Sequence, residues 1–164
     1  MHKICEEIYM NCSKCQRCKS GSTNYGQTTG RLSGSGCNET ISMDYVGPFD
    51  ASQFRGTTGR EFYILTMTDT YSRYTICAIR SAARSQETID AVKKYWFTKF
   101  RRPSTIITDN GSQFTAKTFI TALTNDNVRH IITSTSNQTS NGTSEQVNST
   151  INTILRMYNH HNIE

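Results

Sequence analysis

No run of apolar residues in this 164-residue sequence approaches the length of a membrane span, and the opening Met1-His2-Lys3-Ile4-Cys5-Glu6 lacks the apolar stretch of a secretory signal. An intracellular protein with no membrane partner is expected. No repeat recurs along the chain, which excludes a stacked-repeat fold. A strong excess of charge is also missing. The formal net charge of +5 suits a polyanionic partner but is small for a protein that would hold nucleic acid by electrostatics alone. Histidine is scarce: His2 is the only one before residue 130, and His130, His160 and His161 have no partner at metal-ligand spacing. Tryptophan occurs once, at Trp96. With 35% hydrophobic residues the chain can bury one core, so one compact domain with a short appendage is the natural organisation.

The appendage is rich in cysteine. Cys5, Cys12, Cys15 and Cys18 all fall in the first eighteen residues, and without a secretory signal such crowding favours metal over disulfide. Two residues separate Cys12 from Cys15, the gap that lets two thiolates meet one zinc tetrahedrally, and Cys15 and Cys18 repeat it. A structural zinc contributes stability only when four ligands converge. On one reading Cys12 and Cys15 are half of an incomplete zinc site, and residues 1–18 form a single helix with a loose end. On another, Cys5, Cys12, Cys15 and Cys18 share one ion. Cys37 and Cys77 have no partner spacing and read as a linker thiol and a small buried residue. Between Lys19 and Cys37 the chain is Gly, Ser and Thr with almost no large apolar side chain, which cannot offset the entropy of ordering. Three segments follow: residues 1–18, a flexible linker 19–37, and a core 38–164.

The core opens with strand patterns at Ile41 to Val46, Glu61 to Thr68 and Tyr74 to Ile79, with a hairpin signal at Gly56 to Gly59. In Phe62 to Met67 both alternate sets of positions are mostly apolar, as expected of a central strand covered on both faces. Ser85 is placed to cap a helix over Gln86 to Phe100, where Ile89, Val92, Trp96 and Phe100 recur at helical spacing and Pro103 closes the element. That apolar stripe assigns Trp96 to core packing. Lys93, Lys94, Lys99, Arg101 and Arg102 gather along this helix and its end, either as a solvated face or as phosphate contacts. A short strand over Ser104 to Ile107 leads into Thr108-Asp109-Asn110-Gly111, and a helix from Ala116 to Thr124 buries Phe119, Ile120 and Leu123. A strand from Val128 to Thr133 precedes a polar stretch, Ser134 to Gly142, expected to be a mobile loop. Thr143-Ser144-Glu145-Gln146 has capping-box spacing, with Val147, Ile151, Ile154, Leu155 and Tyr158 forming one apolar face behind it.

Three acids stand out. Asp44 lies inside the first strand, Asp109 at the end of a later one, where an α/β sheet can open a cleft, and Glu145 at a helix start, with 35 residues separating the last two. Each has a plainer reading: Asp109 in an Asn-Gly turn, Asp44 capping a turn before Gly47-Pro48, Glu145 favouring a helix N-terminus. Taken together, the words MDYVGPF, TDNGSQF and SNGTSEQVN resemble the catalytic core of integrases of LTR retrotransposons and retroviruses, over roughly residues 38 to 160. The resemblance implies an α/β, ribonuclease-H-like fold, a mixed five-stranded sheet flanked by helices. It implies that Asp44, Asp109 and Glu145 hold two Mg2+ or Mn2+ ions for DNA 3′-end processing and strand transfer. Hard divalent ions take oxygen ligands, and two of them activate the nucleophile and stabilise the leaving oxygen of a phosphodiester. Retroelement ends and target DNA, a homo-oligomer and a nuclear integration complex are implied partners and place. Lys93, Lys94, Asn148, Asn152 and Arg156 become candidate DNA contacts.

The words Asn11 to Arg17 are similar to the second half of the family's N-terminal His-His-Cys-Cys zinc module, whose two histidines would lie ahead of this chain's first residue. The chain also stops soon after His161, as a piece of a longer polyprotein would. Asp69, in Thr68-Asp69-Thr70-Tyr71-Ser72-Arg73, belongs to a word the family shares and reads as a structural acid. Where the family commonly has Glu-Arg-x-x-Asn, this chain has Glu145-Gln146-Val147-Asn148, so a positive charge beside the acids is missing. A catalytically inactive remnant that only binds nucleic acid or partner subunits is the alternative to an enzyme. A zinc adaptor would leave the acid triad unexplained.

Overall fold

The computed structural model describes residues 2–13, 34–53, 60–133 and 138–159, with residues 2, 3, 6, 9, 53, 138–145 and 159 described by their backbone alone. Five strands form one sheet: β1 (Thr40–Asp50), β2 (Glu61–Asp69), β3 (Thr75–Arg80), β4 (Thr105–Thr108) and β5 (Arg129–Ile132), in the order β3-β2-β1-β4-β5. The first three are antiparallel neighbours, while β4 and β5 run parallel to β1. This is the mixed sheet expected of a ribonuclease-H-like fold. Helix α1 (His2–Asn11) stands in the appendage, and α2 (Ser85–Ala91), α3 (Ser112–Thr115), α4 (Lys117–Asn125) and α5 (Gln138–Asn159) belong to the core. No helix among the described residues is long and apolar enough to cross a membrane.

Alternation along the strands divides the sheet into two faces. Ile41 and Met43 of β1, Leu65 and Met67 of β2, Ala78 of β3 and Ile106 of β4 share a buried cluster with Ile89, Val92 and Trp96, Phe114, and Phe119 and Leu123. Burying such aliphatic and aromatic side chains is worth about 1.5–3 kcal/mol each, so this face holds the fold together. Trp96 is 2% exposed and its indole N–H donates to Asn38 Oδ1 at 2.6 Å, tying the helix to the lead-in of β1. The opposite face carries Ser42, Thr66 and Thr68, all buried, and α5 packs across β1 and β2 there. Ile64 and Leu65 are both buried, which bears out β2 as a strand covered on both faces.

Several local expectations are corrected. Ser85 is the first helical residue and Arg84 the cap, with no side-chain cap bond; the segment Val92–Phe97 is a π-helix rather than a continued α-helix. Its wider turn still brings Val92 and Trp96 to the core. β1 runs on to Asp50 through a register shift between Val46 and Phe49, where Gly47 adopts φ +126°. A Cβ at Gly47 would stand 3.1 Å from Phe62 O, so both conformation and space call for glycine. Ile120 is 39% exposed, because α4 directs Phe119 and Leu123 inward and leaves Ile120 on its flank. Cys77 is exposed rather than buried, because β3 is an edge strand. The capping box at Thr143 is also overturned, since α5 already begins at Gln138. Once the packed half of a helix exists, each further turn needs only weak propensity, and even Gly142 opposes it by only about 1 kcal/mol. Residues 134–137 of the expected loop, the hairpin at 56–59, most of the linker, and Cys15 and Cys18 lie outside the described residues.

Candidate active site

Asp44 and Asp109 are brought side by side by strand register. Met43 pairs with Thr108 as the last step of the parallel β1–β4 ladder, so the next residue on each chain, Asp44 and Asp109, occupies the equivalent position. Neighbouring strands lie about 4.8 Å apart, and residues at equivalent positions of a parallel pair share one face. That face is the one α5 crosses. Asp44 also faces Thr66 on β2, and the Thr66 hydroxyl donates to the Asp44 carbonyl at 3.1 Å.

The two carboxylates are held differently. Asp44 Oδ1 accepts the Tyr45 N–H at 2.7 Å, and Oδ2 accepts Asn148 Nδ2 from α5 at 2.8 Å. A carboxylate only accepts, so the Asn148 amide must turn its nitrogen to Asp44. Its Oδ1 is then left buried with no partner among the described residues. Asp109 Oδ1 accepts the Gly111 N–H at 3.0 Å, while Oδ2 has no hydrogen bond among the described residues. A Cβ at Gly111 would displace the flexible Gln113 amide and stand 3.0 Å from Asp109 Oδ1, so a side chain there would crowd the turn that holds the carboxylate. Tyr45 turns the other way, into the core, where its hydroxyl meets Thr88 Oγ1 at 2.9 Å and burial pushes its pKa up.

Asn148 was expected to meet DNA; the structure puts its amide on Asp44. Glu145 stands one helical turn earlier on α5, and residues three apart on a helix share a face. Its side chain lies outside the described residues. Asn152 is half-buried and Arg156 exposed, one and two turns beyond Asn148. Lys93 and Lys94 are not brought to the carboxylates. Lys93 Nζ lies 3.7 Å from Asp126 Oδ2 and Arg102 Nε 3.1 Å from Asp126 Oδ1, in a cluster at the end of the sheet where β4 and β5 begin. Lys94 extends over the Tyr95 ring at 5.3 Å. Cys12 is half-buried just past α1. Among the described residues no group of three His, Cys, Asp or Glu side chains gathers at metal spacing.

Asp69 is structural, as expected. It is 3% exposed, with Oδ1 taking the Asn38 N–H and Oδ2 the N–H and hydroxyl of Ser72. Sequence reasoning missed the supports of Asp109. The Thr108 hydroxyl donates to the Asp109 carbonyl at 2.9 Å, His130 Nε2 lies 2.8 Å from that hydroxyl, and Thr133 binds the Thr108 carbonyl through its N–H at 2.8 Å and its hydroxyl at 3.1 Å. No sequence spacing signals the bonds from His130 and Thr133, because they depend on the β4–β5 register.

The donor set suits a hard divalent cation: one carboxylate within β1 and one just past the end of β4, the latter with an oxygen that takes no hydrogen bond among the described residues. Comparison with known proteins bears on the family and the fold. A family model described as integrase core domain matches residues 35–138. Among solved structures, a chain of the cryo-EM structure of the simian T-cell lymphotropic virus intasome in complex with PP2A regulatory subunit B56 gamma shares the fold, with a TM-score of 0.69 at 23% identity. The match covers 99% of this chain and 55% of that one, so the present chain corresponds to about half of its solved relative. A search of curated proteins found no match. The family match spans more than half the sequence and includes both Asp44 and Asp109, and the chain therefore belongs to the integrase core domain family.

Proposed function

We propose that this chain is the catalytic core of a retroelement integrase, a metal-dependent polynucleotidyl transferase that trims DNA 3′ ends and joins them to target DNA. The observation that carries the reading is the equivalent register of Asp44 and Asp109, with α5 docked on Asp44 through Asn148. Asp44 and Asp109 would hold one divalent ion between them, and Asp44 with Glu145 a second. Two such ions, when bound, activate the attacking water or 3′-hydroxyl and stabilise the leaving oxygen.

The chain's own residues do the rest. Packing and hydrogen bonds from Tyr45 and Asn148 to its carboxylate fix Asp44 in mid-strand. Gly111 holds one oxygen of Asp109 through its N–H, and the other would be available to an ion. Asn148 locks α5 to β1 one helical turn beyond Glu145. Asn152 and Arg156, farther along α5, would meet the DNA backbone, and Lys93 and Lys94 would meet a separate stretch of it near Asp126. Zinc binding by Cys12 and Cys15, self-association and action in the nucleus belong to the same reading.

The least demanding assay is reversal of strand transfer on a preformed branched DNA with Mn2+ or Mg2+. Product from the parent that disappears in Asp109→Asn, with the fold intact by circular dichroism, supports the enzyme. No product with either ion, together with no rise in melting temperature on adding the ion, favours a remnant that keeps the acids without the chemistry.

A further inference from the structure

Asp109 stands one residue beyond the last β4–β5 pair, Thr108 with Ile132, so no ladder bond holds it. Its two flanking peptide planes are nevertheless fixed, one directly from Thr133 just past β5 and one through Thr108 of β4, itself met by His130 of β5. On one side, the Thr108 carbonyl accepts from the Thr133 N–H and hydroxyl. On the other, the Asp109 carbonyl accepts from the Thr108 hydroxyl. A hydroxyl has one proton, and a carbonyl can only accept, so the proton of Thr108 is committed to Asp109. The contact between His130 Nε2 and Thr108 Oγ1 then has one polarity: Nε2–H donates to the threonine oxygen. His130 is seated for this by its edge-on contact with Phe119, ring centroids 5.3 Å apart, in the buried cluster beneath β4. Burial keeps the ring in its neutral form, which leaves the Nε2–H tautomer with Nδ1 as the bare nitrogen.

Hydrogen bonds in series polarise one another, and partners one shell removed from a ligand set its orientation. We infer that His130 and Thr108 are positioning residues for Asp109: the chain His130 Nε2–H to Thr108 O–H to Asp109 C=O holds the peptide plane from which the metal-facing carboxylate projects. Neither side chain needs to reach the cleft for this. The inference rests on Asp109 being a metal ligand, as proposed above.

The test uses the full chain and two variant pairs that separate the hydrogen bond from the shape. Thr108→Val keeps the volume and removes the hydroxyl, while Thr108→Ser keeps the hydroxyl. His130→Phe keeps a ring against Phe119, while His130→Gln keeps an N–H near the position of Nε2. Mn2+ affinity is read by titration calorimetry, alongside melting temperature without metal and the branched-DNA reaction. Thr108→Val and His130→Phe should weaken Mn2+ binding roughly tenfold, the lower end for lost outer-shell partners, with Ser and Gln restoring most of it. A purely structural role would lower melting temperature in proportion and leave the affinity of the remaining folded protein unchanged. Unaltered Mn2+ affinity in folded Thr108→Val and His130→Phe, or equal losses in Val and Ser, overturns the inference. A parent that binds no Mn2+ and makes no product would instead overturn the functional reading on which it rests.

Discussion

At the scale of single residues, the site is built from short polar side chains that speak to backbone as much as to each other. Asn148 illustrates this, because its amide nitrogen meets Asp44 while its oxygen is buried without a partner. Hydrogen bonds to charged groups are worth about 1.5–3 kcal/mol, so Asn148→Ala should lower unfolding free energy by that amount in metal-free protein. In an Asp44→Asn background the same change should matter much less, and a double-mutant cycle in urea measures the difference. His130 gives a pH test. Its folded pKa is held below the unfolded value by burial, so its contribution to stability is complete above the unfolded pKa and is lost as pH falls through the folded one. Between pH 7 and pH 5 the parent should therefore lose more stability than His130→Gln, which has nothing to titrate; equal losses would show that His130 is not desolvated. The acids were legible as words in the sequence. The bonds of Thr108, His130 and Asn148 were not, because each joins residues from different elements and exists only once register is set.

At the scale of elements, legibility followed burial. β2 and the stripe of Ile89, Val92 and Trp96 could be read directly because every turn or alternate position contributes an apolar side chain to one cluster. The start of α5 could not. Gln138 to Gly142 is polar and rich in residues that favour turns, yet the backbone is already helical, and a capping box inside a helix looks the same on paper as one at its end. Cys77 failed for a related reason: its environment depends on which strand is the edge, and that is a property of topology. The bulge in β1 is a further case, where Gly47-Pro48 reads as a strand end and is instead a kink within a longer strand. Gly47→Ala forces a side chain into a positive-φ position against Phe62 O, which should cost about 1–3 kcal/mol. Chemical denaturation measures it; a cost near zero would mean that the strand relaxes around the bulge.

At the scale of the whole molecule, the two ends of the sheet differ in charge. The acids cluster where β4 ends, and Lys93, Arg102 and Asp126 meet where β4 begins. On the proposed function, DNA that meets Asp44 and Asp109 should engage Arg156, which is exposed, more than Lys93, whose charge is already shared with Asp126. Arg156→Ala should reduce the log–log dependence of binding on salt by about 0.9, the share of one phosphate, and Lys93→Ala by less. Equal or reversed effects would place the DNA on the other end of the fold.

The central claim is that Asp44 and Asp109 form a metal site by register. The most direct measurement is anomalous diffraction from crystals of the chain soaked in Mn2+. The account predicts a manganese peak between the two carboxylates, bridging β1 and β4, that disappears in Asp109→Asn while the sheet is unchanged. A parent crystal whose only manganese lies elsewhere, or none at all with Asp44 and Asp109 side by side as described, would contradict it.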